Sequence, residues 1–270
     1  MSEGLLSGKK GVVMGVANEK SIAWACAQAC AAQGATLAFN YLGEALERRV
    51  RKLAADIPGS VCFPCDVTKD SEITEFFEHI KSEFGTVDFV IHSLAFAQRE
   101  DLTGKFIDTK RENFLLAINI SAYSLVAVAR EAAPLMNSGG SIISMTYYGA
   151  EKVIPHYNVM GVAKATLEAS ARYLAEDLGP KGIRVNCVSA GPLRTLSSSA
   201  IAGMKLMLNT NEKNAPLRRN VTPEEVGKTS VYLLSDLASG VTGEVLHVDC
   251  GYNILGMYGA DILSQEKQGE

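Results

Sequence analysis

Gly11-Val12-Val13-Met14-Gly15-Val16-Ala17-Asn18-Glu19-Lys20-Ser21-Ile22-Ala23 decides the architecture of this chain. Its first five residues form a short apolar run closed by a glycine, the pattern of a buried strand. After a brief turn an Ala-rich segment runs from about Ser21 to Gln33 and stops at Gly34, the pattern of a helix with a glycine beyond its C-terminus. A strand delivered through a glycine turn into a helix is the opening of a strand–helix–strand unit.

The same alternation continues downstream. Strands are expected at Thr36–Tyr41, Ser60–Asp66, Val87–Ser93, Gly140–Met145, Arg184–Ser189 and Glu244–Val248, with helices in most of the gaps. Right-handed crossovers between parallel strands place helices on both faces, so the class is α/β: a doubly wound parallel sheet of about seven strands. Two regions break the rhythm. Ala95–Arg111 is polar and irregular, and Gly191–Arg219 is long, with a serine run and an amphipathic piece at Ala200–Leu208. Loops of this length inside a compact domain are usually functional. No repeat or linker divides the 270 residues, so residues 1–270 are expected to form one domain with a frayed Gln265–Glu270 tail.

Composition narrows the function. Hydrophobic residues make up 47% of the chain and the net charge is -4, which disfavours a nucleic-acid or anionic-membrane surface as its main business. No apolar stretch approaches the roughly 18 residues of a membrane span, and MSEGLLSGKK has no signal-like apolar core, so a cytoplasmic protein without a span is expected. The six cysteines read as core residues, and no metal site is expected. Cys62-Phe-Pro-Cys65 is the sharpest metal-like pattern, but it lacks a second pair.

The Gly15–Ala23 turn aims backbone N–H groups and the positive end of a helix at one point, where a pyrophosphate is attracted. The spacing is not G-x-G-x-x-G, so context has to carry the reading. Asn40-Tyr41-Leu42 ends the second strand with neither an acid for a ribose nor an adjacent Arg for a 2′-phosphate, which favours NADH over NADPH. Asp66 stands at the same edge, suited to an adenine amino group or equally to capping the next helix. Ser93, Leu94 and Ala95 end the fourth strand with small residues that admit a ligand, and His92 reads as structural.

Tyr157 and Lys164 lie seven residues apart at the start of the long helix expected after the fifth strand. At about 100° per residue they differ by only about 20° around its axis, so they share a face. A lysine there lowers a phenol's pKa and bonds the ribose of a nicotinamide nucleotide. A Rossmann-type sheet bearing this pair resembles the short-chain dehydrogenase/reductase superfamily, whose ordinary members carry Tyr-x-x-x-Lys. Here six residues intervene and Tyr147-Tyr148-Gly149-Ala150-Glu151 precedes them, a departure that resembles the NADH-using bacterial enoyl-acyl carrier protein reductases. Arg184-Val185-Asn186, Ser189–Thr195 and Gly243–Gly251 extend the resemblance to about Gly256.

The resemblance implies a function and a set of site residues. Tyr157 hydrogen-bonds the enoyl thioester carbonyl, Lys164 binds the nicotinamide ribose, and Tyr147 flanks the substrate. Gly15, Ser21, Ile22, Asp66, Val67, Leu94, Lys164 and the segment Leu193, Arg194, Thr195, Leu196 and Ser197 lie at NADH/NAD+. Ala97 and Met160 join the two tyrosines at the substrate. The enoyl-acyl carrier protein is then the substrate partner, a homotetramer the assembly, and residues of about 193–216 a lid over the acyl chain, with Lys205, Arg218 and Arg219 as a basic patch for the carrier. A carbonyl reductase of the same superfamily, or a non-catalytic dinucleotide-binding scaffold, are the competing readings.

Overall fold

The computed structural model describes residues 4–195 and 203–257. Seven parallel strands form one sheet in the order β3-β2-β1-β4-β5-β6-β7. They are β1 (Lys10–Met14), β2 (Thr36–Tyr41), β3 (Val61–Pro64), β4 (Val87–His92), β5 (Met136–Thr146), β6 (Arg184–Ala190) and β7 (Val245–Val248). The helices are α1 (Ile22–Ala32), α2 (Gly43–Ala54), α3 (Asp70–Phe84), α4 (Arg111–Ile118), α5 (Ser124–Ala132), α6 (Val159–Leu178), α7 (Met204–Asn214) and α8 (Pro223–Leu234). Winding reverses between β1 and β4, and at that switch point a crevice opens beyond the strands' carboxyl ends, where ligands of such sheets bind.

Side-chain alternation builds a core on each face. Val13, Phe39 and Ile91 point to one side and meet Trp24 and Ala27 of α1 and Val226 of α8. Val12, Ala38 and Val90 point to the other and meet Phe76 of α3, Leu125 of α5 and Leu167 of α6. A strand buried on both faces reads as a continuous apolar run, which is why β1 and β4 were legible. Cys62 packs into the first core and Cys65 into the second, so the pair faces opposite sides of the sheet and cannot hold one ion together.

Two elements differ from expectation. β5 begins at Met136 rather than Gly140, because its first residues pair only at Val87↔Met136 before a register shift, and two glycines conceal the strand. Between α4 and α5 the chain makes a π-turn at Asn119–Tyr123, so the two helices run as one. That run, Arg111–Leu135, is long and apolar enough by length and composition to cross a membrane, with mean hydropathy 1.4. Its Leu125, Val128 and Ala132 are fully buried against the sheet and α3, the packing of an interior helix.

Candidate active site

The crevice is shaped first by backbone. Gly15 has φ +99, and a Cβ there would collide with the Ser93 carbonyl, so β1 and β4 approach this closely only with glycine at that position. Its N–H donates to Asn40 Oδ1 at 3.0 Å, and Asn40 Nδ2 donates to the Cys65 carbonyl at 3.4 Å. One buried amide thus ties the ends of β1, β2 and β3. Sequence reading took Asn40 only as the lack of an acid; a buried Asn at a strand end was the signal for this role.

Ser21 caps α1, its Oγ accepting from Trp24 N and donating to the Asn18 carbonyl at 2.7 Å. Ile22 begins the helix, and no acidic residue stands in its first turn to neutralise the positive end. Asp66 does not cap α3. Its Oδ1 accepts from Thr68 N and Oγ1, while Lys69 occupies the N-cap position without a side-chain bond. Val67 is buried beside it and Leu94 is half-buried across the crevice. Leu193 is buried at the end of β6, Arg194 is exposed and Thr195 half-buried, whereas Leu196 and Ser197 lie outside the described residues. No arginine adjoins the end of β2 in sequence, but one ten residues on approaches it in space: Arg51 of α2 stacks 5.3 Å over the Tyr41 ring. It is engaged there, donating to Glu47 at 2.8 Å and to Tyr41 Oη at 3.2 Å.

The tyrosine is not on the helix. α6 starts at Val159, and Tyr157 sits in the turn before it, flanked by His156 and Asn158 with φ of 64 and 44. The shared-face argument therefore does not describe how Tyr157 is placed. Packing does: Tyr157, Met160 and Leu102 form a separate buried cluster joined by Ala97, Tyr147 and Ile154. All four residues assigned to the substrate at the sequence level meet here, and Leu102 and Ile154 are added. The Tyr147 and Tyr157 rings meet edge-on, 5.0 Å apart at 76°.

Two glycines leave room for that phenol. A Cβ on Gly149 would overlap the Tyr157 ring, with Cε1 at 2.8 Å, and one on Gly161 would stand 2.7 Å from the Gly149 carbonyl oxygen. Gly149→Ala is therefore expected to displace Tyr157 and lower turnover by about 100-fold, since misplacement of a reacting group by about an ångström costs that much. Steady-state rates of the variant at saturating substrate check this.

Burial sets the electrostatics. Desolvation, with smaller contributions from Tyr147 and Glu168, pushes the Tyr157 phenol well above its ordinary value, so it is a neutral O–H donor at physiological pH. The lowered phenol pKa expected from a neighbouring lysine is not what this fold produces, because desolvation dominates. Lys164 donates to the Met145 carbonyl at 2.7 Å and the Leu94 carbonyl at 3.5 Å, and burial brings its ammonium down to about 8. His92 lies buried between Ser124 and Ser144, 2.8 and 2.9 Å away, and desolvation lowers it to about 3, which makes it a neutral structural residue.

The irregular loop after β4 is pinned from the π-turn, as Ser121 Oγ accepts from Phe96 N at 2.9 Å and donates to the Phe96 carbonyl at 3.2 Å. π-turns favour functional sites because they re-aim side chains. Beside Tyr147 a cavity of about 230 Å³ runs between Val153–His156 and the Leu206–Met207 face of α7, which gives an apolar chain a place to lie. The expected basic patch is largely occupied: Arg218 donates to the Lys213 and Asn214 carbonyls, and Arg219 makes two bonds to Glu225. Lys205 is exposed.

A doubly wound sheet with an uncompensated helix end at its switch point and a Tyr–Lys pair beyond β5 defines a dinucleotide-binding reductase of the short-chain type. The family model described as Enoyl-(Acyl carrier protein) reductase matches residues 15–253. A Bacillus cereus relative named enoyl-[acyl-carrier-protein] reductase [NADH] FabI is 59% identical over 254 residues, 93% of this chain and 99% of the relative. A Rhizobium meliloti relative, enoyl-[acyl-carrier-protein] reductase [NADH] 1, is 54% identical over 96% of both chains. Among solved structures, the Bacillus cereus enoyl-acyl carrier protein reductase with NADP+ and indole naphthyridinone superposes with a TM-score of 0.92 at 58% identity, covering 94% of this chain and all of that one. The Anaplasma phagocytophilum reductase in complex with NAD gives 0.91 at 49% identity, covering 96% and 97%. The chain belongs to the enoyl-(acyl carrier protein) reductase family.

Proposed function

We propose that the protein reduces the trans-2 double bond of enoyl-acyl carrier protein thioesters with NADH, the last reductive step of a fatty acid elongation cycle. The observation that carries the reading is the neutral, buried Tyr157 phenol held edge-on to Tyr147 beside an apolar cavity. When bound, NADH supplies a hydride from its nicotinamide C4. Addition at the β-carbon of the enoyl thioester moves negative charge to the thioester oxygen, Tyr157 Oη donates a hydrogen bond to that oxygen, and a proton taken up at the α-carbon restores the carbonyl and completes the reduction. Tyr147 walls the substrate, and Ala97 and Met160 line it.

The residues suit the cofactor. Backbone N–H groups from Gly15 to Ile22, at the open end of α1, receive the pyrophosphate, with Asp66 and Val67 toward the adenine and Leu94, Leu193, Arg194 and Thr195 toward the nicotinamide. Lys164 bonds the nicotinamide ribose. Arg51 is engaged by Glu47 and Tyr41, which supports NADH over NADPH. Residues of about 193–216, of which 196–202 lie outside the described residues, are assigned as the lid over the acyl chain, Lys205 meets the acidic carrier, and the assembly is a homotetramer in the cytoplasm.

Crotonyl thioester supplied with NADH tests the reading against its carbonyl-reductase rival. The expected result is rapid NADH oxidation with crotonyl but not acetoacetyl thioester, and slower turnover with NADPH. Faster oxidation with acetoacetyl thioester would refute it.

A further inference from the structure

We propose that Asn158 is a positioning residue that fixes the Tyr157 phenol by tying its turn to the loop after β4. The inference rests on the reading of Tyr157 as the hydrogen-bond donor. Asn158 occupies the N-cap position of α6, yet its side chain makes no cap bond, and its φ of 44 lies where a residue with a Cβ is disfavoured. Its amide points away from the helix. Nδ2 donates to the Asp101 carbonyl at 2.7 Å and to the Gly104 carbonyl at 3.1 Å.

Those two carbonyls bracket Leu102, which is 5% exposed and packs on Tyr157. One side chain therefore presses the loop's apolar residue onto the phenol ring and holds the turn that carries the ring. Asn158 O accepts from Gly161 N at 2.9 Å and Tyr157 O from Met160 N at 3.0 Å, so the same turn is locked into the first turn of α6. Ser121 pins the far end of the loop at Phe96, which leaves Asn158 as the tether nearest the donor. Asn158 supplies two amide donors at a backbone conformation that glycine adopts without strain, so glycine keeps the turn and supplies no tether.

Asn158→Gly separates the two properties, since it keeps the turn accessible and removes the tether. With crotonyl thioester and NADH, kcat is expected to fall about tenfold while the NADH Kd stays within about twofold of wild type. In a double-mutant cycle, adding Asn158→Gly to Tyr157→Phe is expected to lower kcat no further, because the lost positioning acted through the missing hydroxyl. A wild-type kcat in Asn158→Gly, or a further drop of about tenfold in the double variant, would overturn the inference. A slow Tyr157→Phe beside a fast Asn158→Gly overturns it alone, whereas a wild-type rate in Tyr157→Phe overturns the donor assignment with it.

Discussion

Tyr157→Phe lowers kcat with crotonyl thioester by about 100- to 1,000-fold, the usual cost of one donor to a developing oxyanion. The ring stays, so its edge contact with Tyr147 and its packing on Leu102 and Met160 remain, and what is lost is one O–H. Desolvation makes that hydroxyl valuable twice over. It keeps the phenol protonated through the physiological range, and it makes a hydrogen bond to a growing negative charge stronger than it is in water. The NADH Kd is expected to stay unchanged, because Tyr157 packs with substrate-side residues rather than against the end of α1. Single-turnover rates with NADH bound separate the chemical step from binding. Full activity in the variant would mean that another group stabilises the oxygen.

The neutral phenol also bears on pH. A tyrosine with a depressed pKa would lose its proton, and with it its donor function, as pH rose past neutrality. Burial moves that loss upward instead, so the alkaline limb of the rate profile is expected to come from another group.

How much of this was legible in the sequence differs between backbone and side chains. β1, its turn and α1 were readable because an interior parallel strand is apolar on both faces and its glycine exit is obligatory. β5 was truncated by two glycines, whose strand character comes from pairing with β4 and not from their own preference. Tyr157 and Lys164 were found by spacing, but the spacing argument assumed a helix that begins two residues later. What brings Tyr157 to Ala97 and Leu102 is the long-range contact of a loop more than fifty residues upstream, and no local pattern encodes it. Asn40 and Asn158 were overlooked for the same reason: each acts through carbonyls or amides of other elements. Arg51 escaped notice because α2 carries it back over Tyr41 from ten residues away.

The second large effect falls on the cofactor. Lys164→Met is expected to weaken NADH binding by about 10- to 100-fold, the worth of a charge-assisted hydrogen bond of about 1.5–3 kcal/mol. Methionine fills the buried volume, so the loss reads the ammonium and not a cavity. The lysine is already tied to the Met145 carbonyl and reaches the Leu94 carbonyl, which holds its Nζ at the crevice edge of β4 and β5 before any ligand arrives. Burial, the main cause, lowers its pKa to about 8. Below that pH the group is an ammonium and above it a neutral amine, so NADH affinity of the wild type is expected to fall as pH rises through about 8. Lys164→Met should lack that dependence. Fluorescence titration of NADH between pH 6 and 9 measures both, and equal affinity in the two proteins across the range would remove Lys164 from the ribose site.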